Sequence, residues 1–562
     1  MLLPALMRSR SLRRFLAWAA SIPWLGKHVN RLLTNLIAHS TTPRPRPFSL
    51  WSPVAVAPGG PSGPISDYTS WPVLTDRRFS ARHLPPASMI GIAALPDDAP
   101  SGPGGWGPVT SLFARDKVMQ TDRSSVLFMF FAQWFTDSVL RIDPEDRRKN
   151  TSNHDVDLCQ IYGLHEHQAR CLRRHSGGRL SSQIINGEEY PDYLGERNEA
   201  GEWRVKAKYS CLDSEGRVIP SQGLYPHGNT EWVKAALDRS FPPGTLTPEQ
   251  RDAKFDRLYA TGLERGNSSV GHVALSTIFL REHNRICDEL SSLPDLDWRH
   301  DDERLFQTAR MINTCLLLKL TIEDYINHIA GDSLFRFDPS FAENQPWYRA
   351  NWMALEFNLL YRWHGLVPDH LIVNNAIVKH LFYRWNNEPL EAQGLASIIA
   401  NASAQVAGRI SLGNNPDFLM GAEYQTIKMG RDFRLQGYNE YRQNFGLAKL
   451  RDFTELTKDS GLRQKLETLY GDIDSLELVV GLFAEDPQPG ALFGSLMLIM
   501  VAYDAFTQIY TNPLLSKAIY TAETLTAYGL ELIDTTSSID DLVRRNVPGG
   551  LSQKVALSFP HH

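Results

Sequence analysis

Cysteine is scarce and has no pairing pattern: five residues, at 159, 171, 211, 287 and 315, an odd number with no C-x-x-C spacing. That argues against a disulfide framework and against a zinc site, and favours a reducing compartment. An excess of one charge is also missing. With 58 Lys and Arg against 63 Asp and Glu, the formal net charge is −5. No basic face is expected for neutralising phosphates, so nucleic acid is not an expected partner. No run of about 18 apolar residues occurs, so a transmembrane helix is not expected. Internal repeats are not apparent.

What is present is an ordinary globular balance, 42% hydrophobic and 22% charged over 562 residues, ample for a core. Two or three domains fit this length, as does one large helical unit. The stretch around which the chain is organised is 354–369. Leu355, Phe357, Leu359, Leu360 and Trp363 predict a buried helix, ended by Gly365 and Pro368. Tyr361 and His364 stand three apart and should share one face of it. An imidazole can ligate a metal or a haem iron, and a neighbouring phenol can be oxidised to a radical. Taken alone, the pair also reads as a hydrogen-bonded core histidine beside a core tyrosine.

A second apolar helix is predicted from Ser125 to Asp137. Its polar residues Gln133 and Asp137 are four apart and share a face. They are either site residues or polar groups that cap or pair elsewhere in a core helix. A long helix is expected from Asp301 to His328, with Leu305, Ala309, Ile312, Leu316 and Leu320 at helical spacing. Arg281 and Arg285 offer cations for an acidic ligand or for a structural ion-pair network. His83, His165 and His167 read as solvated side chains.

The N-terminal segment carries two amphipathic patterns. Leu12, Phe15, Leu16 and Ala19 form one stripe, with Arg13 and Arg14 opposite; Pro23 and Gly26 interrupt; Val29, Leu32, Leu33 and Leu36 form a second. With Trp18 and Trp24, such helices suit the headgroup layer of one leaflet. The run from Phe15 to Leu25 also fits a signal-peptide core, and either stripe could pack on the body of the protein. Residues 41–66 are rich in Pro, Gly and Ser and read as a linker.

The block at 354–369 resembles the proximal segment of the cyclooxygenase (prostaglandin endoperoxide synthase) branch of the animal-type haem peroxidases. The stretches 125–190, 270–335 and 430–500 are similar to the same family. The resemblance implies a mostly α-helical peroxidase domain (67–562), a membrane-binding arm (1–40) and haem b. It makes His364 the axial iron ligand, Tyr361 the radical tyrosine and Tyr325 the residue that orients it. Gln133 and Asp137 take the distal positions, and Leu498, Ala502 and Ala505 line the fatty-acid channel. The Tyr-Arg-x-His run is similar to fungal diol synthases and plant α-dioxygenases as well.

The sequence departs from the family in several places. Asp137 stands where the family has a distal histidine. A carboxylate near pKa 4 is a weaker base, so feeble or altered peroxidase turnover is expected. Ile37 replaces the arginine that holds the substrate carboxylate, with Arg44, Arg46 or His39 as stand-ins, and Asp332 replaces a second carboxylate-binding tyrosine. Ala505 replaces the serine that aspirin acetylates, and Gln508 replaces a glycine, shortening or re-routing the channel. Asp504 in an apolar channel would be costly unless paired. No stretch matches the epidermal-growth-factor-like module of animal cyclooxygenases.

The expected activity is haem-dependent dioxygenation of a polyunsaturated fatty acid, with O2 and peroxide as co-substrates, on the cytoplasmic face of a membrane. The resemblance allows a homodimer. The alternatives are a peroxidase acting on hydrogen peroxide and small reductants, or a haem-binding protein that has lost catalysis.

Overall fold

The computed structural model describes residues 9–41, 71–87, 94–100, 105–241, 243–373, 376–379, 383–551 and 553–559. The linker expected at 41–66, with Arg44 and Arg46, lies almost wholly outside them. Helices dominate, and the strands form four two-stranded antiparallel ribbons. The helices that place the site are α1 (Arg10–Ser21), α2 (Pro23–Ala38), α3 (Val126–Val139), α4 (Val270–Ser292), α5 (Asp302–Leu320), α6 (Leu355–Leu360), α7 (Met420–Asp432), α8 (Ser495–Tyr510), α9 (Ala522–Thr535) and α10 (Ile539–Asn546).

Helix α3 is apolar on nearly every side, and a helix of that kind can only be a core helix. Its start is fixed by Ser125, whose hydroxyl accepts from the Phe128 amide. The strand Gln120–Ser125, paired with Val406–Gly408, feeds directly into it. Helix α4 lies against α3 at very short range. A Cβ on Gly271 would come within 2.0 Å of the Phe130 ring, so only glycine permits this approach. Helix α4 then packs on α5 and α10, and α5 on α9.

The long helix expected from 301 to 328 is present but not uniform. After Leu320 it widens into a π turn at Thr321–Ile326, then resumes as a short helix at Asn327–Ala330. The extra residue of a π turn re-aims the side chains after it, and Tyr325 lies within this turn.

The arm is helical and breaks at Pro23, as expected, whereas Gly26 lies inside α2, pressed against the Ala20 carbonyl. Leu12, Leu16 and Ala19 of α1 face the core as expected, but Arg13 is buried at 4% exposure and Phe15 is 59% exposed. Val29, Leu33 and Ile37 of α2 join the main core, and α2 packs on α8. Burying such side chains is worth about 1.5–3 kcal/mol each, so this half of the arm is part of the body. Trp18, Trp24 and Leu32 point outward. No helix among the described residues is long and apolar enough to cross a membrane.

Candidate active site

On α3, Gln133 and Asp137 share a face as their spacing requires. Gln133 Nε2 donates to Ser268 Oγ at 3.2 Å, and its Oε1 accepts from Ser269 Oγ at 3.2 Å, so the loop before α4 orients the amide. Asp137 is 9% exposed. Its Oδ1 accepts from Arg265 Nη1 at 3.4 Å, while Oδ2 has no hydrogen bond and faces His272 Nε2 at 3.7 Å. Asp137 and Arg265 line a cavity of about 670 Å³ that also contains Arg141 and Glu264. Arg141 Nη2 reaches both Glu264 oxygens at 2.8 Å. Burial opposes the Glu264 charge, but the guanidinium outweighs it and holds the carboxyl down to about 2.

The proximal stretch folds differently from its sequence pattern. Helix α6 stops at Leu360; Tyr361 caps it, Trp363 leaves helical geometry, and His364 opens a separate 3₁₀ turn, His364–Leu366. Tyr361 and His364 therefore do not share a helix face. Tertiary packing overrides the local preference here. A Cβ on Gly365 would lie 2.5 Å from the Arg409 carbonyl, and Asn414 donates to the Gly365 carbonyl at 3.1 Å, so the turn is clamped by residues far along the chain.

His364 Nδ1 makes a short hydrogen bond to Oε1 of Glu423, a fully buried residue of α7. A carboxylate only accepts, so Nδ1 carries a proton, and Nε2 is the ring nitrogen left without a hydrogen bond. Arg362 is half-buried, with its Nε out of solvent. Its Nη2 donates to Asn358 at 2.6 Å. Burial pushes its guanidinium down to about 10, Arg265 adds to that, and Glu423 and Asp137 pull it back. One side chain thus senses the proximal and the distal carboxylate together.

The Tyr361 ring stacks on Trp363 at 4.0 Å, and Tyr325 OH donates to Tyr361 OH at 3.4 Å. Burial raises the Tyr361 phenol well above its ordinary value, so it stays protonated. Leu498 and Ala502 of α8 line a narrow apolar cleft together with Ile37, Ile326 and Phe335. Ala505 is buried on the same helix but does not line it. At the cleft stands Arg13 of α1. It donates to the Pro489 carbonyl and lies 3.2 Å from Asp332, yet its Nε and Nη1 make no hydrogen bond.

Other expectations need correcting. His83 is a core residue, not a surface one: its Nε2 lies 3.4 Å from Asp504 Oδ2, both side chains are at most 2% exposed, and its ring packs on Phe445 and Tyr503. Asp504 is thereby paired. Arg281 and Arg285 serve structural ion pairs with Glu188 and Glu282. Gln508 is buried, with its amide against Met353. His165 is exposed, whereas His167 is half-buried and stacks on it. Glu423, His272, Arg265 and Arg13 were not singled out as site residues from the sequence; each is brought in by a contact distant along the chain.

These residues fit a haem. An iron already held by a porphyrin needs one protein ligand, and His364 offers a free Nε2 backed by a carboxylate. In the same segment Arg362 Nε and Trp363 Nε1, and on α3 Asp137 Oδ2, are buried without hydrogen bonds and could meet a polar ligand.

A family model described as animal haem peroxidase matches residues 229–555. Prostaglandin G/H synthase 2 of Equus caballus is 31% identical over 496 residues, covering 86% of this chain and 73% of the relative. Prostaglandin G/H synthase 1 of Rattus norvegicus is 32% identical over 486 residues, covering 84% and 71%. Among solved structures, the fatty acid alpha-dioxygenase of Arabidopsis thaliana aligns with a TM-score of 0.62 at 17% identity, over 86% of this chain and 81% of that one. Peroxidase A of Dictyostelium discoideum aligns with a TM-score of 0.62 at 16% identity, over 86% and 95%. At these identities the structural likeness establishes the fold.

Proposed function

The chain belongs to the animal haem peroxidase family, an oxidoreductase family that binds haem, and from that premise we propose that it is a fatty-acid dioxygenase working through a tyrosyl radical. The observation that carries this reading is Tyr361: a buried phenol in contact with Tyr325, stacked on Trp363 and three residues before His364. Haem b, when bound, supplies oxidising power drawn from a peroxide.

The protein's own groups do the rest. His364 would hold a haem iron, with Glu423 fixing the ring's orientation. Gln133 and Asp137 would bind a peroxide and hold its proton. A radical on the Tyr361 oxygen removes a hydrogen atom from an activated methylene of the acyl chain, restoring the phenol, and O2 adds to the resulting carbon radical. The cleft of Ile37, Leu498 and Ala502 has the apolar walls an acyl chain needs, with Ala505 beyond it. Arg13 stands at the cleft with Asp332 already 3.2 Å from its Nε, so an acyl carboxylate would meet it at Nη1, which has no hydrogen bond.

A second reading, peroxidase turnover of small reductants, is favoured by the cavity at Asp137, whose charged residues Arg141, Glu264 and Arg265 suit polar molecules. Tyr361→Phe separates the two. With linoleate or arachidonate, O2 uptake and oxygenated products measured by mass spectrometry should disappear in the variant while turnover of peroxide with a small reductant persists. Unchanged oxygenation by the variant would remove the tyrosyl-radical route.

A further inference from the structure

A carboxylate alone is a poor distal base, because its conjugate acid gives up the proton too readily to have taken it from a peroxide. The structure places a second proton-holding group directly behind it. His272 sits in the first turn of α4, its side chain fully buried, and neither ring nitrogen makes a hydrogen bond of good geometry. Its Nε2 faces Asp137 Oδ2 at 3.7 Å, and that oxygen is also unpaired. The Gly266 carbonyl lies near the ring. A buried carboxylate oxygen and a buried imidazole nitrogen facing each other are both satisfied when that nitrogen carries the ring's proton.

The arrangement is built rather than incidental. Gly271, the residue before His272, is the point at which α4 meets the Phe130 ring, an approach that only glycine permits. The remaining ionisable groups near the pair are cations or are already neutralised. Arg265 contacts Asp137 Oδ1, Arg362 senses it from the proximal side, and Arg141 is tied to Glu264. Burial keeps the imidazole less basic than usual, while Asp137 pulls the other way. The imidazole supplies a nearby second site for a proton.

We propose that His272 is the positioning partner of Asp137, so that the distal base is an Asp–His pair with the carboxylate in front and the imidazole behind. The ring proton, carried on Nε2, is shared with Oδ2 once the two atoms close from 3.7 Å to hydrogen-bond distance. The proton of a peroxide passes to the carboxyl at Oδ1 while the shared proton settles on Nε2. The carboxyl then gives its proton to the departing oxygen, and the shared proton recentres. The pair ends as it began, and the transfer itself consumes no electrons.

Cyanide reports on this directly, since hydrogen cyanide must lose its proton to a distal base as the anion binds ferric iron. The rate of cyanide association with the haem-loaded protein should be measured by stopped flow between pH 5 and 8. Asp137→Asn and His272→Leu should each slow it by about a hundredfold or more, the scale of one general base, and should flatten its pH profile. The double variant should be little slower than either single, because the two act as one unit. If His272→Leu does not take up haem, His272→Gln keeps the volume and makes the same comparison. Wild-type cyanide kinetics in the His272 variant, with slowed kinetics in Asp137→Asn, would mean that the carboxylate works alone. Wild-type kinetics in both would remove the pair altogether.

Discussion

At His364 one ring nitrogen is committed to Glu423, which leaves the other as the only lone pair available to a metal. A carboxylate behind a ligating imidazole fixes its rotation and raises its basicity. Glu423→Gln keeps the hydrogen-bonding shape but removes the charge. Haem affinity, measured by transfer to an apo-globin acceptor, should fall by about 10–100-fold, the usual cost of losing such a partner. Unchanged affinity would mean that Glu423 only packs. Gln133 and Asp137 could be seen in the sequence because helical spacing alone puts them on one face. Glu423, 59 residues from His364, could not, since nothing local marks an acid that matters only once two distant segments meet.

Among the elements, α1 departs most from its sequence pattern. Helical periodicity placed Arg13 opposite the apolar stripe, yet the side chain turns inward to Asp332 and the Pro489 carbonyl. Periodicity assumes that charge seeks water, and it fails where an acid and a carbonyl from other elements are waiting inside. The same limit applies to α6, whose apolar run reads as helix past Tyr361 although the chain is pulled into a 3₁₀ turn by Arg409 and Asn414. If α1 brings the carboxylate anchor to the cleft, Arg13→Gln should raise KM for a free fatty acid by about tenfold and leave kcat little changed, with no effect on the methyl ester. Equal effects on acid and ester would assign Arg13 a structural role.

Over the whole molecule, the mostly helical peroxidase fold was legible because its long core helices carry dense apolar patterns and its motifs are spread along the chain. Less legible was the meeting of segments that makes the site: α3 and the loop before α4 on one side, the 3₁₀ turn and α7 on the other, with Tyr325 brought to Tyr361 by a π turn that spacing does not announce. That meeting holds a buried phenol three residues from a half-buried imidazole that a buried carboxylate orients. The direct test is electron paramagnetic resonance on haem-loaded protein frozen within milliseconds of mixing with peroxide. A tyrosyl signal should form, decay when a polyunsaturated fatty acid is added, and be absent from Tyr361→Phe; an identical signal in that variant, indifferent to fatty acid, would contradict the account.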